Sequence, residues 1–203
     1  FYTGKLNRLF IYYLLNQNII IDMSIKPFER KIHHKLVKDY KIQLRNFIIT
    51  SRFNNKTWNE NIYFRSKHNI TGCIYCSPSP VTHTIPNESI LFILEMNNET
   101  NQIIGVGMVR NHPYINKYNV YGNGNYNRYV FIGKHRIDRI DMTPEEDIIM
   151  QVFDILCFTG NRHMKRGQGL KSFPLDMLFR CNKRLDLVDF IAKMFKSRLN
   201  SII

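Results

Sequence analysis

FIITSRF (residues 47–53) and SILFILEMNNETNQIIGVGMVRN (residues 89–111) decide how this chain folds. In the first stretch, β-branched and aromatic residues from Phe47 to Thr50 predict a buried strand. In the second, Ile90 to Glu95 and Ile103 to Val109 predict two more, joined by the polar turn Asn97-Asn98-Glu99-Thr100 as a hairpin. Between the two stretches, residues 51–70 are polar with Trp58, Tyr63 and Phe64, which predicts a loop carrying a short helical piece. Ser77-Pro78-Ser79-Pro80 is a rigid turn that no central strand accommodates.

Working outward, residues 24–45 read as a basic, partly amphipathic helix, with Ile32, Leu36, Val37 and Tyr40 at helical spacing. The Asn-, Tyr- and Gly-rich tract 111–127 reads as a loop that orders on binding, and Tyr129 to Gly133 as a further strand. Thr143-Pro144-Glu145-Glu146 combines an N-cap Thr, a Pro at the first helical position and a Glu at the third, which predicts a capped helix to about Phe158, ended by Gly160. Pro174 begins a short helix. Leu187, Val188, Ile191, Met194, Phe195 and Leu199 predict a last amphipathic one. The expected fold is a single α+β domain over 23–203. Its core is a small mixed β-sheet or open barrel of about five or six strands over 46–133, with helices 144–200 beside it.

The 203 residues carry a formal charge of +13 and a pI near 9.7, which favours polyanionic partners, nucleic acid before anionic membrane. A 44% hydrophobic fraction with 13% aromatics argues against wholesale disorder. Residues 1–22 precede the first Met and read as an upstream or non-native extension, or a packing helix. Their apolar run LFIYYLL is too short to anchor a membrane. Cys73, Cys76, Cys157 and Cys181 are too few and scattered for a disulfide scaffold, so an intracellular (cytoplasmic or nuclear), reduced protein is expected.

Four segments carry candidate chemistry. The first holds FIITSRFNN, FRSKHN and IIGVGMV, over about a third of the chain (residues 46–110). It resembles the YTH family within the PUA-like superfamily, which also contains EVE and ASCH domains. In that pattern a strand F-x-I-x-S runs into an Asn-containing polar loop, then a Trp-x-Ser segment and a strand–turn–strand ending in G-V-A-x-M. The resemblance implies a base-binding site in which Thr50, Ser51 and Asn54 contact one base, modified or unmodified, inside an aromatic cage. Phe64 stands at the first cage Trp, and Trp58, the single Trp, lies close by. Aromatic faces stack on any base, worth about 1–3 kcal/mol each.

The second segment is Thr159 to Ser172, TGNRHMKRGQGLKS. Arg162, His163, Lys165, Arg166 and Lys171 surround Gly160, Gly167 and Gly169, a composition suited to phosphate contact; the Walker order is absent. The third is KHRIDRID (134–141), where Asp138 and Asp141 beside Lys134 and His135 could serve a metal-dependent nuclease or form a salt-bridged structural turn. The fourth is Cys73-x-x-Cys76 with His83, half of a zinc site whose other half has no matching spacing.

Together these predict a binder of RNA or single-stranded DNA. One base would sit near Thr50, Ser51, Asn54, Trp58 and Phe64, with phosphates along 162–171. No cofactor, metal or catalytic group is required. The alternatives are a metal-dependent enzyme acting on nucleic acid, and a basic protein-interaction or virion structural component.

Overall fold

The computed structural model describes residues 27–161 and 163–200; the readings for residues 1–22 and for Arg162 lie outside them. In chain order the elements are α1 (Pro27–Gln43), β1 (Asn46–Phe53), α2 (Asn55–Lys67), β2 (Cys73–Ser77), β3 (Ile90–Asn97), β4 (Gln102–Arg110) and β5 (Tyr114–Ile115). Then come β6 (Tyr129–Gly133), β7 (His135–Asp138), α3 (Pro144–Phe158), β8 (Lys171–Ser172), α4 (Leu175–Asn182) and α5 (Leu187–Asn200). The class is α+β. Two compact units are present: residues 27–44 with Pro174–Leu187, and Arg45–Phe173 with residues 188–200.

In the smaller unit, α1 turns His33, Val37 and Tyr40 inward, while Ile32 and Leu36 of the expected stripe stay about half exposed. The reason is the partner helix: Phe179 of α4 meets the His33 ring at 5.6 Å and the Tyr40 ring at 5.8 Å. His33 also hydrogen-bonds Asp176. Burial, then the nearby Asp186 charge, pushes the Tyr40 phenol up to about 12.

The larger unit is built on two sheets, β7-β4-β3-β1-β8 and β2-β6-β5. β1 lies parallel to β3, with Phe47 opposite Leu91 and Thr50 opposite Leu94. A parallel pair needs a crossover, which α2 and β2 supply. The unbroken apolar run Phe47–Ile49 follows from burial of β1 on both faces. The chain passes from one sheet to the other at Gly133-Lys134, where β6, paired with β2, gives way to β7, paired with β4. Among the described residues the ladders do not close a barrel.

Glycine in β4 makes the sheet-to-sheet packing possible. A Cβ at Gly107 would stand 1.9 Å from the Tyr75 hydroxyl. Its absence lets the fully buried Tyr75 of β2 cross β4 and donate to Glu95 Oε1 at 2.7 Å. A bulge at Glu95/Met96 breaks the β3–β4 register at this point. Arg136 of β7 completes the network, donating from Nη2 to Glu95 at 2.7 Å and from Nη1 to Asp138 at 2.7 Å. Burial alone would lower Arg136, but the adjoining Glu95 carboxylate holds it above its ordinary value.

The polar span 51–70 is chiefly helix, not loop. α2 is fixed by a capping box in which Asn54 accepts from Thr57 N at 2.8 Å and Thr57 Oγ1 accepts from Asn54 N at 3.0 Å. It buries only Asn61 and Phe64, so apolar periodicity gave no sign of it. Asn61 ties it down by donating to Ile74 O at 2.8 Å and Tyr121 Oη at 3.1 Å.

The tract 111–127 is likewise ordered at its end. Asn127 Oδ1 accepts from the amides of Val120 and Tyr121 at 3.1 and 2.9 Å, and its Nδ2 donates to Tyr121 O at 2.7 Å. α3 begins and ends close to the predicted bounds, with the Thr143–Glu146 capping box formed. α5 lays Phe195 flat on Phe92 of β3, ring centroids 5.5 Å apart. No helix among the described residues is long and apolar enough to cross a membrane.

Candidate functional site

At the C-terminal end of β1, where α2 begins, a cavity of about 310 Å³ opens inside the larger unit. That falls in the ~300–1,000 Å³ range of small-ligand sites. β1 and the start of α2 contribute Ser51, Arg52, Asn54, Lys56 and Glu60; the tract before β6 contributes Tyr121, Asn123 and Tyr126. The loop after α3 closes it with Gly167, Gln168 and Gly169, and Asn98 lies at the hairpin turn. Two segments that the sequence offered as separate candidates therefore share one cavity.

The ladder between β1 and β8 explains the meeting. Ile49 pairs with Ser172 and Thr50 with Lys171, which draws the loop before β8 against the end of β1. Three side chains then clamp that loop. Arg52 Nε donates to Met164 O, Asn98 Nδ2 to Lys165 O at 3.1 Å, and Leu170 N donates to Ser77 Oγ at 3.2 Å. Gly169, at φ +63°, has no room for a side chain, since a Cβ would lie 2.3 Å from Ser77 Oγ.

The clamp leaves polar atoms unanswered. Arg52 Nη1, Asn98 Oδ1 and His163 Nδ1 are buried without a hydrogen-bond partner among the described residues. Such groups are scarce in folded proteins, and two of these residues, Arg52 and Asn98, line the cavity. Arg52 is the sharpest case. Its guanidinium lies 3.8 Å from the Cβ position of Gly167, no described carboxylate pairs with it, and burial lowers its pKa. Arg stays protonated regardless, so the wall holds a half-buried, uncompensated positive charge.

The amides of the first turn of α2 contribute less than a helix start usually would. Asn55 N donates to Glu99 Oε1 at 2.9 Å and Thr57 N is taken by Asn54. The cation here is supplied by side chains. The aromatic wall is Tyr121 and Tyr126, whose rings meet edge to face at 6.4 Å. Burial pushes the Tyr121 phenol far above its ordinary value, so it is a neutral hydroxyl.

Of the residues expected at the base, Ser51 and Asn54 line this cavity; Thr50, Trp58 and Phe64 do not. Thr50 is fully buried in the sheet and its Oγ1 donates to Lys171 O at 3.2 Å. Trp58 packs edge-on against Phe53 and carries the guanidinium groups of Arg65 and Arg136 over its ring, at 5.5 and 5.3 Å. Phe64 is buried and stacked on His68 at 4.1 Å. Of the expected phosphate contacts, Arg166 and Lys171 are exposed beside the glycines, while His163 and Lys165 are half-buried. Arg52, Lys56, Tyr121 and Tyr126 went unnoticed in the sequence, because nothing local separates a cavity-facing tyrosine from a core one.

The other candidates are placed as follows. Asp138 is engaged by Arg136, and Arg139 bridges Asp147 and Asp154 at 2.8 and 2.7 Å. Cys73 and Cys76 stand three residues apart on one strand and so face opposite sides of it, away from a shared ion. Burial pushes the Cys73 thiol up to about 12. Among the described residues no three His, Cys, Asp or Glu side chains cluster to hold a metal. No protein-family model, curated protein or solved structure matches the chain.

Proposed function

We propose that this protein binds single-stranded nucleic acid, RNA foremost, holding one base in the cavity at the end of β1 and the adjoining phosphates on the basic loop beside it. The observation that carries the reading is Arg52, a half-buried cation of the cavity wall that no described carboxylate neutralises. An anionic ligand supplies the missing countercharge, and phosphate does so with charge-assisted hydrogen bonds. Lys56, Arg166 and Lys171 extend the positive field around the same opening, in a chain whose net charge is +13.

A planar ligand is supported by Tyr121 and Tyr126, and polar edges by Ser51, Asn123 and Gln168, which offer both donors and acceptors to a base. Glu60, the acidic group in the lining, is suited to accept from an exocyclic amino group. The likeness of FIITSRFNN and IIGVGMV to the YTH pattern supports a base reader of PUA-like type, modified or unmodified. An intracellular, reducing setting is supported by four buried, unpaired thiols.

Fluorescence anisotropy with short single-stranded RNA, with and without N6-methyladenosine, tests the reading across a salt series. Affinity falling steeply with salt is expected, together with a loss of about 1–3 kcal/mol on Tyr126→Ala. A methyl-dependent affinity would make the protein a modified-base reader. No binding at low salt would remove nucleic acid from the reading.

A further inference from the structure

A second groove, of about 570 Å³, runs along the larger unit between β4, β5 and the bend from β6 to β7. Arg110, His112, Lys134 and His135 line it, against the single acid Glu88, which is paired with His112 at 2.6 Å. Lys134 is exposed and has no ion-pair partner among the described residues. Tyr114 stands at the groove with 40% of its surface exposed.

The tyrosine belongs to a file of rings. Tyr114 meets His112 at 6.5 Å and Tyr118 at 5.9 Å, and Tyr118 meets Phe64 of α2 at 6.3 Å. Lys117 Nζ lies 5.1 and 5.5 Å from the centroids of Tyr114 and Tyr118. The file thus leads from the groove to the helix whose other end frames the Arg52 cavity. From Asn54 to Phe64 that helix rises ~15 Å. Two residues here hold left-handed backbone without being glycine, Glu88 at φ +64° and Asn116 at φ +49°.

We infer that the groove is a second subsite for single-stranded nucleic acid, taking the strand that continues from the nucleotide in the cavity. Phosphates lie on Arg110 and Lys134, and a base stacks on Tyr114. Cations interleaved with exposed rings match a polyanion that carries planar groups; an acidic peptide would use the charge and leave the rings idle. The inference rests on the cavity reading above and adds a length requirement to it. A ligand of one or two nucleotides fills the cavity alone, whereas a longer strand engages both sites.

The test compares single-stranded RNA of about 2 and about 12 nucleotides on the full chain, wild type against Tyr114→Ala/Lys134→Gln and against Arg110→Gln/Lys134→Gln. The long RNA is expected to bind wild type at least tenfold more tightly than the short one. The first variant should lose that advantage and keep its short-RNA affinity within about twofold. The second should lower the slope of log affinity against log salt by about 1.4, two released contacts at ~0.7 each. It keeps every aromatic in place, so it decides the matter if Tyr114→Ala perturbs folding.

An unchanged long-RNA affinity in both variants overturns the groove while leaving the cavity reading intact. Equal losses on short and long RNA also overturn it, since the groove would then act only through the general field. Displacement by a poly-glutamate peptide without any RNA length effect assigns the groove to protein and overturns it as well. Failure of wild type to bind either RNA removes both readings together.

Discussion

Arg52 Nε donates to the main-chain carbonyl of Met164, 112 positions away, and leaves its Nη1 buried without a partner. The bond joins the end of β1 to the glycine-rich loop and stores an unpaired cation between them. A protein gains nothing in stability from such a charge. Arg52→Met should therefore leave the ligand-free protein within about 1 kcal/mol of wild type, one hydrogen bond being lost while an uncompensated charge is removed. RNA affinity should drop at least tenfold, one charge-assisted contact to phosphate being worth ~1.5–3 kcal/mol. Urea melts and anisotropy on the same preparation check both; a large destabilisation would make Arg52 a structural residue.

Asn127 holds the tyrosine wall by three main-chain hydrogen bonds to Val120 and Tyr121. Asn127→Ala leaves two buried amides and a carbonyl unanswered, at about 1–3 kcal/mol each and so at least about 3 kcal/mol in total. Amide exchange at Val120 and Tyr121 should accelerate with it. Protection unchanged in the variant would mean that the wall is held by packing instead.

Glu95 is 1% exposed and binds both Tyr75 and Arg136. Its removal by Glu95→Ala strands the Arg136 guanidinium between β7 and Trp58, and the expected loss is about 3–5 kcal/mol. Tyr75→Phe removes one hydrogen bond to a charged group and should cost about 1.5–3 kcal/mol. The ranking of the two in chemical denaturation is the check: a larger loss for Tyr75→Phe would contradict this account of the network.

Acid should loosen the junction of α3 with α5. Burial alone would raise Glu146, but the Arg198 hydrogen bonds at 2.7 and 2.6 Å and the Thr143 amide bring it below its ordinary value. Its folded pKa lies under the unfolded one, so its contribution is present above about pH 4.3 and is lost as pH falls through the lower folded value. Asp147, lowered by Arg139 against the pull of burial, acts in the same direction. Asp154, raised chiefly by burial, acts in the opposite one. Arg198→Ala should flatten the fall in urea midpoint between pH 6 and pH 3. An unaltered pH profile would exclude this pair as its source.

The hairpin β3–β4, the strand β6 and the capped helix α3 were all legible in the sequence. Each is written in nearest-neighbour chemistry: alternating or continuous apolar runs, a polar turn, Thr and Glu three residues apart. α2 was legible only as a short helical piece, and β2 and β8 were not legible. α2 buries only two side chains and β8 is a polar pair, held because β1 offers an open edge beside it. The α+β class was legible, as was the positive charge.

Which distant residues meet was decided by the tertiary structure alone. Ser51 and Asn54 face the cavity with Gly167–Gly169 because the β1–β8 ladder brings segments over a hundred positions apart into register. Phe64 turns to the core, Trp58 packs half-buried against Phe53 and two guanidinium groups, and Tyr121 and Tyr126 take the wall that Trp58 and Phe64 were expected to form. An aromatic side chain has the same local signature whether it fills a core or faces a ligand. Local sequence fixes which way a residue is driven to bury or solvate, and only the fold fixes what it is buried against.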